Sequence, residues 1–325
     1  MQLMLQLDIP RLPKPITYTD NILLIGSCFT EHIADRLQHY KFKVLSNPHD
    51  ILFNPLSVAN SLDGYITGRQ YKQEELFYLN ELWNSWDHHT RFSDIDAQVA
   101  LQNINTSQAK AREFIKHADW VIITLGSAFQ YYLKDSGTPV GNNHRAPAQW
   151  FEKKLLSVDQ IVNALRHTLQ QLFETNPFAQ VLFTVSPVRH IRDGVIDNNR
   201  SKARLIEAVH VLCEQYDKAY YFPAYELVID ILRDYRFYDI DFVHPNYLAT
   251  TYVWEHFVKA AITPSIHDVM QQVQEIVTAR SHRSRFPGTN AHKQFKESYA
   301  EKTIALMNKY PYLDLSAEMK YFSEK

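Results

Sequence analysis

Four short apolar runs constrain this chain more than any other feature. They are "ILLI" at Ile22–Ile25, "WVIITL" at Trp120–Leu125, "VLFTV" at Val181–Val185 and "AYYF" at Ala219–Phe222. Each is short, dense in β-branched or aromatic residues, and reads as a strand buried on both faces. Helix-patterned stretches separate them: Thr30–Tyr40 with Ile33, Ala34 and Leu37 on one face, residues near 95–117, and Ser157–Glu174 with an Ile161, Leu165, Leu169, Leu172 stripe. Ser201–Gln215 and Asn246–Ala260 follow. Buried strands alternating with helices give an α/β fold, a parallel sheet covered by helices on both faces. The connecting segments read as a turn-rich loop at "SNPHDILFNPLS", where Pro48 and Pro55 bar regular helix, an irregular hairpin or insertion at "ELFYLNELWNSW", and a hairpin turning at Ser136-Gly137. From Thr263 the composition turns polar and helix-like, with a break at "SHRSRFPGTN". The expected division is an α/β domain over 1–262 and a helical C-terminal appendage over 263–325.

Composition narrows the function classes. The net charge of −2 over 325 residues offers no broad basic surface, so nucleic acid is not an expected partner. No apolar run reaches the ~18 residues of a transmembrane helix, and "MQLMLQLDIPRLPKP" lacks the basic lead and apolar core of a signal peptide. Two cysteines, Cys28 and Cys213, make neither a disulfide framework nor a zinc pattern, which points to the reducing cytoplasm. Fifteen histidines invite a metal, yet no paired-Cys or His-Glu-x-x-His motif occurs, and no phosphate loop or dinucleotide fingerprint is present. No cofactor is expected. Glycine is scarce at 8 residues, far below the usual ~7%, so Gly26 and Gly126, each ending an apolar run, mark backbone requirements.

Ligands of an open parallel sheet collect beyond the carboxyl ends of its strands. The residues expected there are Ser27 and Cys28 after the first run, Gly126 and Ser127 after the second, and Ser186, Arg189 and His190 after the third. "DIDFVHPN" adds Asp241 and His244. A serine hydroxyl becomes nucleophilic when a base takes its proton, and histidine serves near neutral pH when a carboxylate fixes its tautomer. Ser27, His244 and Asp241 can supply those roles, with the Ser27 amide donating to an oxyanion. The plainer alternatives are that Ser27 caps the following helix and that Asp241 and His244 brace a loop. Cys28 is a rival nucleophile, since a helix N-terminus lowers a thiol pKa. Arg189 and His190 are candidates for binding an acyl or carboxylate group, the alternative being an ion pair of Arg189 with Asp193. His144 and Arg145 stand in a polar loop that can reach the pocket. Arg233 to Tyr238 read as a charge-aromatic brace for the Asp241 loop.

"IGSCFTEHIADRL", "NPHDILFNP", "ITLGSAFQYY", "VGNNHRAP", "FTVSPVRHIRDG", "NNRSKARL", "FPAYELVIDILRDYRFY" and "DFVHPN" together resemble the GSCFA family, which is related to the SGNH, or GDSL-like, hydrolases. The resemblance spans Asn21 to Ala260 in order. It implies a flavodoxin-like three-layer α/β/α fold, a nucleophile at Ser27 and a late Asp-x-x-His at Asp241 and His244. The wider group holds esterases, lipases and carbohydrate deacetylases or acetyltransferases, so the implied partner is a small-molecule or carbohydrate acyl ester. The chain departs from the pattern at Thr30, where the signature has Ala, and at Asn143, where the family has Cys. Asp50 stands near the expected second-block glycine, where a free carboxylate would repel an oxyanion. No asparagine follows Gly126 and Ser127, so Asn54 or Asn142 is the candidate replacement donor. Two functions stay open: a serine ester hydrolase or acyltransferase, and a binding or scaffold module that keeps the fold.

Overall fold

The end of the first strand can lie against its neighbour only because it is a glycine. Gly26 has φ +141°, and a Cβ there would sit 2.1 Å from the Thr124 carbonyl oxygen. The fold around that contact, a computed structural model, is described for residues 5–324; Lys325 and Met1–Met4, the start of the stretch weighed as a signal peptide, lie outside the described residues.

In chain order the first half comprises β1 (Asn21–Gly26), α1 (Cys28–His39), β2 (Lys43–Ser46), α2 (Pro55–Thr67), β3 (Leu76–Leu79), β4 (Leu82–Ser85), α3 (Ala97–Ile115) and β5 (Trp120–Leu125). Then come β6 (Phe129–Leu133), β7 (Pro139–Val140), β8 (Phe151–Leu155), α4 (Val158–Thr175), β9 (Gln180–Val185), α5 (Val195–Gln215) and β10 (Ala219–Tyr221). Helix α6 (Ala224–Glu226) runs into a π-helical turn, and α7 (Tyr247–Ala261), α8 (His267–Ser281), α9 (Asn290–Lys309) and α10 (Ser316–Ser323) complete the chain.

Strands β10, β9, β5, β1 and β2 form one parallel sheet in that order, which is the flavodoxin-like order. The chain leaves β1 toward β2 on one side and later returns to β5 on the other, so the topological switch point falls at the end of β1. Alternate side chains of β1 feed two separate cores. Ile22 and Leu24 join Phe29, Val253 and Phe257 on one face; Leu23 and Ile25 join Val58, Leu165 and Val209 on the other.

The four apolar runs all become strands of this sheet. Several elements differ from the sequence reading. Pro55 does not bar a helix but opens α2 at its first position, where its missing N–H is not needed, with Asn54 as cap. The edge strand β2 and the strand β8 are half-exposed and lack an apolar run. Helix α5 begins six residues before Ser201. The Leu76–Ser85 segment is a regular hairpin, its Asn80 and Glu81 both at positive φ as a tight two-residue turn requires. Among the described residues no helix is long and apolar enough to cross a membrane.

The helices after Thr263 bury Val269, Met270, Val273, Leu306, Leu315 and Phe322 in the same cluster as α1 and α7. Glu318 on α10 is fully buried and holds Lys41 and Arg280, each at 2.8 Å. Burial pushes its carboxyl up, but the two cations outweigh that and keep it below the usual range. Removing the carboxylate leaves two partly exposed cations facing each other. Glu318→Ala should destabilise the protein by about 2–3 kcal/mol, less than a fully buried pair because Lys41 and Arg280 keep some water. Urea unfolding at pH 7 reads this, and an unchanged midpoint would show that the tail is not fastened there.

Candidate active site

Ser27 follows Gly26 in extended conformation (φ −69°, ψ 172°) and occupies the N-cap position of α1, yet its side chain makes no capping hydrogen bond. The residue is 1% exposed and its Oγ has no hydrogen-bond partner. A buried, unsatisfied hydroxyl is costly and uncommon in native structures, so the plain capping role does not account for Ser27. Its backbone N–H donates to Thr124 O at 3.1 Å, so this amide is committed to the sheet and not open to an oxyanion. The first-turn amides of Cys28 and Phe29 have no acceptor within the helix and face the Cys28 sulfur.

Gly126 packs against Ser27: a Cβ at 126 would come within 3.1 Å of Ser27 Cβ and 3.3 Å of the Phe53 ring. The amides of Gly126 and Ser127 both donate to Phe53 O, at 2.8 and 2.9 Å, so Gly126 contributes close approach and not a free donor. Asn54 caps α2, its Oδ1 accepting from Ser57 N–H (2.8 Å) and its Nδ2 donating to Ser57 Oγ (3.0 Å). Asp50 is not a free carboxylate, because Arg91 Nε lies 3.1 Å from it.

The loop from Tyr238 to Asn246 carries Asp241 and His244. Asp241 Oδ1 accepts the amides of Val243 and His244, at 2.9 and 3.0 Å, and Oδ2 takes His244 Nδ1–H at 2.6 Å. These contacts, the His244 amide first and its ring next, hold the Asp241 carboxyl down to about 2. The carboxylate thereby fixes the tautomer that leaves Nε2 as acceptor. Asn246 caps α7 and donates back to the carbonyls of Arg236 and Tyr238, closing the loop.

Ser27 and His244 stand at the same carboxyl edge of the sheet, joined through the segment after β9. Arg189 N–H donates to Val243 O at 3.4 Å, and the His190 ring meets the Phe53 ring edge-on at 5.4 Å. His244 lies close enough to His190 and to His32 on α1 to disfavour their protonation. The two groups do not hydrogen-bond: Ser27 is buried, and the His244 side chain is 46% exposed. Ile240, Phe242, Tyr235 and Tyr247 form an exposed apolar rim on the His244 side.

Asn142 and His144 are engaged with the β3–β4 hairpin. Asn142 Oδ1 accepts the His144 amide, while the His144 ring is buried on Phe77 and Trp86 and bonded to Ser85 O at 2.8 Å. Both residues pin their loop to the β3–β4 hairpin. Arg189 forms no ion pair among the described residues; Asp193 is taken by Lys153. Cys28 is not an activated thiol: burial, then Glu31, push its pKa up against Lys202 and the nearby amides. Among the described residues no group of three or more His, Cys, Asp or Glu is arranged to hold a metal. Cavities of about 470 and 460 Å³ lie elsewhere, one lined by Arg280, His282 and Tyr321, the other by Asn60, Arg69 and Asp87.

One residue of the site escaped sequence reasoning. Lys202 on α5 is buried, and its Nζ donates to Gly126 O (2.6 Å) and Ser186 O (2.7 Å). The signal was periodic: Asn198, Ser201 and Lys202 occupy the buried face that Leu205, Ala208, Val209 and Leu212 continue.

Several buried histidines near these strand ends are held neutral. Burial, helped by Lys202, takes His190 down to about 4; burial takes His49 to about 3 and His88 well below its usual value. Below about pH 6.5 the unfolded chain binds protons there that the folded chain refuses, so stability falls with pH at about 1.4 kcal/mol per unit for each such proton. Urea midpoints measured at pH 7, 6 and 5 should decline, and His190→Gln should flatten the decline. A midpoint constant across that range would contradict the neutral assignment.

A search of curated proteins finds no match. Among solved structures, an acetyl xylan esterase from the rumen bacterium Butyrivibrio proteoclasticus is similar at 10% identity and a TM-score of 0.39. The match covers 79% of this chain and 66% of that one. The model of the GSCFA family matches residues 21–257, and that of the GSCFA domain protein, C-terminal domain, matches residues 273–325. The chain belongs to the GSCFA family.

Proposed function

We propose that the protein is a serine ester hydrolase or acyltransferase acting on a small-molecule or carbohydrate acyl ester, with Ser27 as nucleophile and Asp241–His244 as its acid–base pair. The observation that carries this reading is the preformed pair: His244 Nδ1 sits 2.6 Å from Asp241 Oδ2 at the sheet edge where the Ser27 hydroxyl is left without a partner. His244 Nε2 takes the Ser27 proton as Oγ attacks the ester carbonyl. The tetrahedral oxyanion forms at the positive end of α1. Collapse breaks the ester C–O bond, and His244 returns the proton to the departing alkoxide. Water, or an acceptor alcohol in a transferase, then attacks the acyl-serine with His244 again as base. Ser27 and His244 are not hydrogen-bonded, so on this reading the loop holding His244 closes toward Ser27 for the proton transfer. Its apolar rim favours an acyl chain or a sugar face over a charged ligand. On this reading residues 1–262 carry the chemistry and 263–325 brace α1 from behind. Free Cys28 and Cys213 are consistent with a reducing, cytoplasmic setting.

A second reading has its own support. The committed amides of Ser27, Gly126 and Ser127 and the burial of Ser27 suit a module that binds and does not turn over. The two readings part on one substitution. Ser27→Ala should lower kcat on p-nitrophenyl acetate or an acetylated sugar by at least about 10³-fold, abolish labelling by a serine-directed phosphonate, and leave thermal unfolding within a few degrees. Asp241→Asn should cost about 10²–10⁴-fold through the wrong imidazole tautomer. Turnover that survives Ser27→Ala removes the nucleophile from the proposal. A wild-type chain that neither hydrolyses nor labels is the binding module.

A further inference from the structure

We propose that Lys202 is a positioning residue for Ser27: it clamps the strand end against which Ser27 packs and sets a buried positive charge behind that hydroxyl. Lys202 Nζ ties Gly126 O on the β5 side to Ser186 O on the β9 side, at 2.6 and 2.7 Å. Gly126 in turn lies against Ser27, so closely that a Cβ at 126 would come within 3.1 Å of Ser27 Cβ. The neighbouring residues of α5 serve the same edge: Ser201 Oγ accepts Ala128 N–H at 2.7 Å and Asn198 Oδ1 accepts His190 N–H at 2.9 Å.

What singles out Lys202 among these clamps is its charge. Holding two carbonyls requires only a neutral donor, yet the chain places here a side chain able to carry a positive charge, with no carboxylate paired to it among the described residues. Such a charge costs several kcal/mol in desolvation. The titratable groups facing it are Cys28 from α1 and Arg189 and His190 from the loop after β9, none of them an acid at neutral pH. Burial first, then Arg189, lower its pKa to about 7, with Cys28 opposing. An anion forming at Ser27 is the missing counter-charge, and the ammonium stands in for the asparagine donor absent after Gly126.

This deepens the Ser27 reading, but its electrostatic content can be measured without turnover. The test is a double-mutant cycle on the full chain with Ser27→Asp and Lys202→Met, read by urea unfolding at pH 6. If Lys202 charges this point, Ser27→Asp should lower the folding equilibrium constant at least tenfold less beside Lys202 than beside the methionine. Equal losses in the two backgrounds overturn the proposal. Should Lys202→Met not fold, Ser27→Asp is compared with Ser27→Asn from pH 5 to 8. A carboxylate paired with Lys202 tracks the amide up to pH 6.5, whereas an unpaired buried one loses stability from pH 5 upward. In turnover, Lys202→Met should lower kcat at least tenfold with KM kept, and Lys202→Arg should remove the fall in rate above pH 7 that deprotonation of Lys202 produces. A purely structural clamp would leave that pH limb in place. If the wild type hydrolyses no ester, the hydrolase reading falls, and the cycle still decides whether Lys202 charges the Ser27 position.

Discussion

The close approach of Gly26 to the Thr124 carbonyl is the contact on which the rest of the architecture depends. A side chain at that point would separate β1 from β5 at the topological switch point and break the Ser27 N–H to Thr124 O bond. The same residue holds the edge on its other side, since Gly26 N–H donates to Asn47 Oδ1 and Gly26 O accepts from Leu52 N–H. Three chain segments, the ends of β1 and β2 and the entry to α2, therefore meet on one residue without a side chain. Ser27 inherits its position from that convergence.

The electrostatics of this edge are uneven. One ammonium, Lys202, is buried there, while His190 and the more distant His49 and His88 are kept neutral by desolvation. Negative charge is handled differently. Asp241 is exposed and stabilised by amides and the His244 ring, and Asp50 is matched by Arg91. The interior behind Ser27 is thus positive or neutral, and the carboxylates sit outside or are paired. An oxyanion at Ser27 would meet donors and a cation there, set against the carboxylate of Glu31 in the first turn of α1.

Much of this was legible before any coordinates. The apolar runs located four of the five parallel strands, because a strand buried on both faces has no polar alternation to disguise it. Ser27 was legible as a residue at a strand end, and the Asp-x-x-His spacing allowed Asp241 and His244 to fold onto each other locally. The illegible parts share a cause. The edge strand β2 and strand β8 face solvent and leave no apolar run. Pro55 has opposite meanings at the first turn of a helix and in its interior, and sequence composition does not separate them. Asn142 and His144 matched the type of residue a site needs, yet their partners lie in the β3–β4 hairpin, about sixty residues away along the chain for His144 and Ser85.

Sequence alone determined what is local or periodic: the alternation of strands and helices, the glycine before Ser27, and the pairing of Asp241 with His244 across three residues. Tertiary structure decided everything that depends on which groups compete for the same donor or the same water. It committed the amides of Ser27, Gly126 and Ser127 to carbonyls, and it neutralised Asp50 with Arg91. It buried the Ser27 hydroxyl without a partner and brought Lys202, 175 positions later in the numbering, to the carbonyl beside it. Burial and hydrogen-bond commitment are properties of surroundings, and the surroundings of each group here are supplied by segments far apart in the chain.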